Sequence, residues 1–334
     1  MTRPIVFDGG VLAEPTVTGV GRSLLATLEA YAPLTDRPLV LLLPDDADDP
    51  RLDGVEVRRG FRGALARTRR APGIARELDA ALWHSPVAAL PWYTPCPRVA
   101  TIHDLPWMAD PRVPGDESDR RRHRLAVRHA ARRADGIVCA SRATRRQLVR
   151  FLRRRPRGLV RVVHPGTSEA TKASQVDRGP VLVIAADRPR KNLERVRHAH
   201  RIARERDDRV GPLEILGPPN RYVSEAEKSE RLSGAAALLH FSLFEGFGMP
   251  VVEAFRHEVP VACSARGGLA EVAGDAACLA EPESVDEMAD AIVRVCTDAS
   301  LRAVLRERGR ERAARFTAEA AARGWLRLHR ELIG

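Results

Sequence analysis

Lysine is nearly missing from this chain: only Lys172, Lys191 and Lys228 occur, against 52 arginines among the 55 basic side chains. The net charge of +11 therefore reflects an arginine-coded, GC-rich composition as much as a surface selected for phosphate. Aromatic residues make up 4%, too few for the stacking platforms that single-strand binders use, so nucleic acid is set aside as a partner. The charge suits anionic substrates or an anionic membrane face. Five cysteines, at 96, 139, 263, 278 and 296, are odd in number and form no Cys-x-x-Cys pair, which argues against a disulfide framework. Cys139 and Cys263 lie in apolar runs and read as small buried hydrophobes, pointing to a reducing, cytoplasmic location. No apolar run approaches the ~20 residues that span a bilayer, and the opening MTRPIVFDGG reads as a strand start rather than a leader. A peripheral seat at the inner membrane face is the one membrane role that the charge leaves open.

What is present is an alternation. At 334 residues the chain exceeds one core, and two domains of roughly 150 residues are expected. Short apolar runs at 4–10, 39–44, 81–85, 98–104, 136–141 and 160–166 read as buried parallel strands. GRSLLATLEAYA (21–32) and RHRLAVRHAARRA (122–134) carry apolar residues at three- and four-residue spacing, as helices packed on a sheet do. A polar stretch without period, 167–180, reads as the linker. Strand-like runs then resume at 181–186, 213–219, 236–242, 260–265 and 277–282, and a helical tail over 284–332 is expected to break near Gly309 and Phe316. The fold class is α/β: two doubly wound, Rossmann-like domains facing a central cleft. Their spans are 1–168 and 177–315, with 316–334 a terminal helix returning to the first domain.

The stretch FSLFEGFGMPVVEAF (241–255) gathers unusual residues. Pro250 suits the first turn of a helix, and glycines allow a ligand to approach the backbone closely. The amides opening that helix form an anion site. Glu245 and Glu253, on either side of the turn, can each accept a pair of sugar hydroxyls. A loop followed by an acidic helix is the plainer reading, but it leaves this convergence unexplained. The basic pair Arg190–Lys191 at a helix start opposes the macrodipole, which makes an anion there reasonable. By itself, His103 at a strand end reads more simply as a hydrogen-bonded histidine. The acidic PDDADD (44–49) reads as a polar loop after a strand rather than a metal-binding Asp-x-Asp, and no metal site is assigned.

The Glu-x7-Glu motif E-GFGMPVV-E resembles that of the retaining glycosyltransferases of family GT4, which have the GT-B fold. TGVGR (18–22), LWHSP (82–86), TIHDLPW (101–107), VCASRATRRQL (138–148), VVHPGT (162–167), RPRKNLERV (188–196), YVSEAE (222–227) and ARGGLAEVAGDAA (265–277) resemble that family's landmarks, in its order. The resemblance implies transfer of a hexose from a nucleoside-diphosphate sugar to an acceptor hydroxyl of a glycan, lipid or small molecule. No cofactor is implied, and no metal. It assigns Glu253 to the donor's ribose hydroxyls and Glu245 to the transferred sugar, and the Glu245 and Lys191 side chains are expected to face a wet cleft. Phe247, Gly248, Met249, Pro250 and Val251 fall to the loop and helix start that meet the diphosphate and sugar. Lys191, with Arg190, neutralises the diphosphate; His103 lies against the sugar; Gly19 and Gly21 form a glycine-rich loop over the diphosphate.

Two departures stand out. Where the family has an arginine ahead of the lysine, this chain has Ala185 and Ala186, with Arg188 as the substitute. LEILGPPN also runs almost directly into RYVSEAEKSE, so a β–α unit that helps hold the base is expected to be missing, and the base is left open. A relative that binds nucleotide sugar or glycan without turnover is the alternative function. A dinucleotide-dependent oxidoreductase is disfavoured, because GVGRSL lacks the third glycine and stands about ten residues beyond Asp8.

Overall fold

The computed structural model describes residues 2–13, 18–61, 63–108, 117–167, 176–219, 221 and 223–334. They form two compact units: one from Met1–Leu105, Asp116–Ser168 and Thr317–Gly334, the other from Pro106–Gly115 and Glu169–Phe316. No described helix is long and apolar enough to cross a membrane.

The first unit follows the order β1 (Ile5–Asp8), α1 (Gly19–Tyr31), β2 (Leu39–Pro44), β3 (Val55–Phe61), α2 (Gly63–Glu77), β4 (Leu82–Ser85), β5 (Arg98–Ile102), α3 (Glu117–Arg133), β6 (Gly136–Cys139), α4 (Arg142–Leu152) and β7 (Leu159–Val162). The strands make one parallel sheet, β3-β2-β1-β4-β5-β6-β7. Side chains alternate between its faces. Phe7, Leu39, Leu41, Leu43 and Leu82 pack with Leu24, Leu28 and Tyr31 of α1, while Val6, Val40, Leu42 and Trp83 pack with Ala71 and Ala75 of α2. Helices on both faces explain why these strands read as continuous apolar runs. Strand β3 carries no such run: as the sheet edge, it buries only Val55 and Phe61, at its two ends. That is why its sequence gave no strand signal.

The second unit contains β8 (Val181–Ile184), α5 (Leu193–Arg206), β9 (Leu213–Leu216), α6 (Glu225–Ser233), β10 (Ala237–His240), α7 (Met249–Arg256), β11 (Val261–Ser264), α8 (Gly267–Ala273), β12 (Ala277–Ala280), α9 (Val285–Thr297) and α10 (Ala299–Ala313). Its five parallel strands run β12-β11-β10-β8-β9. Strand β9 is the sheet edge, and the chain leaves it through the bridge between Gly217 and Arg221 and goes directly into α6. Arg221 and Arg231 pair with Glu214 and Glu227 across that edge. Of the expected linker, 168–175 lie outside the described residues.

The helical tail breaks at two places: around Asp298, which caps α10 at Leu301 N and where no break is expected, and at 314–317, near Phe316 as expected; Gly309 lies inside α10. The glycine serves packing: a Cβ on Gly309 would stand 2.9 Å from the Phe255 ring. After the second break α11 (Ala318–Ile333), capped by Thr317 Oγ1, belongs to the first unit. It seats Trp325 on Phe7, rings stacked at 5.6 Å.

A buried polar chain fastens α11. Tyr31 Oη meets His329 Nδ1 at 2.9 Å, His329 Nε2 meets His84 Nδ1 at 3.1 Å, and His84 Nε2 meets Thr101 Oγ1 at 3.0 Å. Protons can run along it in either direction, and the His84–His329 contact is lost only when both imidazoles are protonated, since two N–H groups then face each other. Burial lowers the His84 pKa well below its ordinary value, helped by His329 and His103, and burial alone takes His329 to about 3.

Histidines held neutral in the fold but free to protonate when unfolded favour unfolding in acid. Their stabilising contribution is complete above the ordinary value of 6.5 and is lost as pH falls toward 3. Chemical denaturation should therefore show stability falling from about pH 6.5 downward, by up to ~1.4 kcal/mol per pH unit for each such histidine. His329→Gln should flatten that slope, and an unchanged slope would remove this pair as its source.

Candidate functional site

In open α/β sheets ligands bind beyond the carboxyl ends of the strands, where the order reverses. In the second unit that point lies between β8 and β10. After β8 the chain makes a 3-10 turn, Pro189–Lys191, whose basic pair is followed by Asn192 in the left-handed region, φ 59°. The Asn192 amide donates to the carbonyls of Phe241 (3.2 Å) and Pro282 (2.6 Å), and Leu243 N donates to Arg190 O at 2.8 Å. These bonds tie the basic turn to the loop that follows β10.

That loop carries Glu245. Its carboxylate pairs with Lys191, lies 3.1 Å from Arg190 Nη1, and stands 3.5 Å from His240 Nε2. The Glu245 and Lys191 side chains are 11% and 12% exposed. Burial acts to raise the Glu245 pKa, but Lys191, the His240 contact and Arg190 together hold it well below the ordinary range. The wet-cleft expectation is therefore corrected: both side chains are mostly buried and locked to each other, because a carboxylate at this depth needs counter-charge. Burial is also the main cause of the lowered His240 pKa.

Gly248 then turns the chain at φ 110°, where a Cβ would stand 2.5 Å from Leu269 Cδ2. Only glycine fits. Met249 and Pro250 open α7, which has no side-chain cap; Pro250 carries no N–H, and Val251 N and Val252 N reach Gly248 O at 3.0 and 3.4 Å. Phe247 and Val251 are buried anchors, the former edge-on to Phe316 at 5.3 Å. Further along α7, Glu253 Oε1 accepts from Lys228 Nζ of α6 at 2.8 Å.

Arg190, Lys191, Glu245, Phe247–Val251 and Glu253 thus all lie at or after the carboxyl ends of β8 and β10. The other expected residues belong to the first unit. Gly19 and Gly21 are not a loop there: they form the first turn of α1, capped by Thr18, and residues 14–17 lie outside the described residues. His103 follows β5, and its Nε2 donates to Pro86 O at 2.8 Å while Thr144 Oγ1 donates to its carbonyl at 3.0 Å. Burial lowers its pKa despite that bond to Pro86. Arg188 is exposed. Three contributors were missed by sequence reasoning: His240, Asn192 and Lys228. The signal for Lys228 was available in the rarity of lysine.

Family models match both halves: "Glycosyltransferase Family 4" over residues 17–170 and "Glycosyl transferases group 1" over 220–312. The chain belongs to the group 1 glycosyltransferases of the family 4 type. Its fold is GT-B, with two parallel-sheet, Rossmann-like units. Sucrose-phosphate synthase from Thermosynechococcus elongatus superposes with a TM-score of 0.79 at 18% identity, covering 99% of each chain. Anabaena HepE, in complex with UDP and glucose, superposes at 0.71 with 16% identity over 98% of each. The O-antigen chain mannosyltransferase B of Escherichia coli is 36% identical over 115 residues, 34% of this chain and 29% of that one. The chain thus matches under a third of that curated relative's length.

Glu245→Gln keeps the side chain's shape and removes the counter-charge of two cations. Without ligand the variant should be less stable by about 1–3 kcal/mol, and it should bind inorganic pyrophosphate more tightly than wild type. Because the Glu245 pKa is depressed, its stabilisation is full above the ordinary value of 4.5 and is lost as pH falls below it. The difference in stability between the two proteins should stay constant from pH 7 to 5 and shrink under 4.5. Equal melting temperatures at pH 7 would show that the carboxylate is not the counter-ion.

Proposed function

We propose that the protein is a retaining hexosyltransferase, moving a sugar from a nucleoside diphosphate to an acceptor hydroxyl. The observation that carries this is the charge arrangement around α7: Lys191 and Arg190 on Glu245 before the helix, and Glu253 within it. A diphosphate arriving at the helix start takes Lys191 and Arg190 from Glu245, and the released carboxylate turns to the hydroxyls of the sugar. Glu253 receives the ribose diol. The start of α7, the positive end of its dipole, adds a third source of positive potential.

In the reaction the bond from the anomeric carbon to the diphosphate oxygen breaks, and the acceptor oxygen bonds to that carbon on the same face. The departing oxygen takes the acceptor proton. Charge grows on the leaving diphosphate, so the protein acts through cations and dipoles already in place. The mannosyltransferase relative and the UDP and glucose held by HepE support a hexose donor. Five free, buried cysteines support a cytoplasmic setting, and the basic composition supports an acceptor at an anionic membrane face.

Transfer assays with UDP- and GDP-hexoses should give product that retains the donor's anomeric configuration, and activity should survive EDTA because side-chain cations do the work of an ion. Lys191→Ala should weaken nucleoside diphosphate binding and lower turnover by about 10²–10³. Nucleotide binding with no transfer to any acceptor would favour the non-catalytic binder. Magnesium-reversible loss in EDTA would overturn the charge argument.

A further inference from the structure

Helix α6 buries two side chains, Lys228 and Leu232. They stand four residues apart, so Lys228 occupies a slot in the inward stripe where an apolar residue is expected. It is 7% exposed. Its ammonium meets Glu253 Oε1 at 2.8 Å and Glu225 Oε2 at 2.7 Å. Burying an ammonium among carboxylates offers little net stability over a well-packed apolar side chain, so the residue calls for another reason.

Its chemical type supplies one. With 52 of 55 basic residues arginine, both lysines among the described residues pair with the two glutamates of the Glu-x7-Glu motif. A guanidinium typically grips both oxygens of a carboxylate, whereas an ammonium is a point charge that can hold one. Lys228 engages Oε1 of Glu253. The register is set nearby: Ser233 Oγ lies 3.1 Å from His257 Nδ1 and Ser229 Oγ lies 3.3 Å from His257 Nε2. His257 caps the end of α7, one turn beyond Glu253, so this latch keeps α6 level with the carboxylate.

We propose that Lys228 is a positioning residue for ribose recognition: it pins one oxygen of Glu253 so that the carboxylate presents a fixed edge to the ribose diol of the donor. It does not touch the nucleotide; it acts through Glu253. The inference rests on the reading of Glu253 as the ribose carboxylate, and the two can fail separately.

The test is calorimetry with UDP and GDP and their 2′-deoxy counterparts, using whichever pair binds. Wild type should prefer the ribonucleotide at least tenfold, and Glu253→Ala should abolish that preference. Lys228→Met should weaken ribonucleotide binding about tenfold, leave the 2′-deoxy form within twofold, and so nearly erase the preference. A merely structural lysine would weaken both ligands alike. Lys228→Met combined with Glu253→Ala should bind no more weakly than Glu253→Ala alone, since one residue acts through the other. If the Met variant does not fold, Lys228→Gln, a neutral donor, should give an intermediate preference. A preference that survives in Glu253→Ala, or no nucleotide binding by wild type, overturns the reading of Glu253. A preference lost in Glu253→Ala but intact in the Lys228 variants overturns this inference alone.

Discussion

A parallel sheet covered by helices on both faces has little room for polar chemistry except beyond the carboxyl ends of its strands. In the second unit all four residues of β10 are buried, and β8 is buried but for the partly exposed Ile184. The candidate anion-binding groups, Arg190, Lys191 and the start of α7, are gathered where these neighbouring strands end. The reversal of strand order between them opens the crevice into which the Arg190–Lys191 turn and the Glu245 loop project. The first unit repeats the logic: α1 with its glycines, Pro86 and His103 follow the carboxyl ends of β1, β4 and β5.

That placement creates an electrostatic problem, and Glu245 answers it. Two cations beside the start of a helix repel each other and oppose its dipole. A carboxylate between them removes the repulsion, and the cations in turn keep that carboxylate ionised at a depth where burial would neutralise it. On the proposed function, an incoming diphosphate would claim this stored charge, with Glu245 and diphosphate alternating as partner of Lys191. Asn192 keeps the turn in place by bonding to backbone on both sides, so the exchange requires side chains to move rather than the scaffold.

The second carboxylate of the motif sits in a different environment. Glu253 is met by an ammonium from a neighbouring helix, and that helix follows the sheet edge almost directly. The short path from β9 through the Gly217–Arg221 bridge into α6 brings Lys228 to α7. The edge itself is finished by arginine–glutamate pairs, which discourage further strand pairing.

The apolar runs that became eleven of the twelve described strands were legible because most of these strands are buried on both faces, and the edge strands β7, β9 and β12 still carry apolar residues at most positions; Glu-x7-Glu was legible because its glycines and proline have few other uses. β3 was not, since this edge strand carries Glu56, Arg58, Arg59 and Gly60 between its two buried ends. The break expected at Gly309 failed for a related reason: the glycine is there for the Phe255 ring, a contact distant in sequence. Likewise, no local pattern shows that Glu245 is locked to Lys191, or that Lys228 reaches Glu253 from another helix. The sequence by itself determined the layered α/β architecture and the family motif, because both are written in local spacing. Only the tertiary structure decided which charges meet, because partners 54 and 25 residues apart are joined by the order of strands in a sheet.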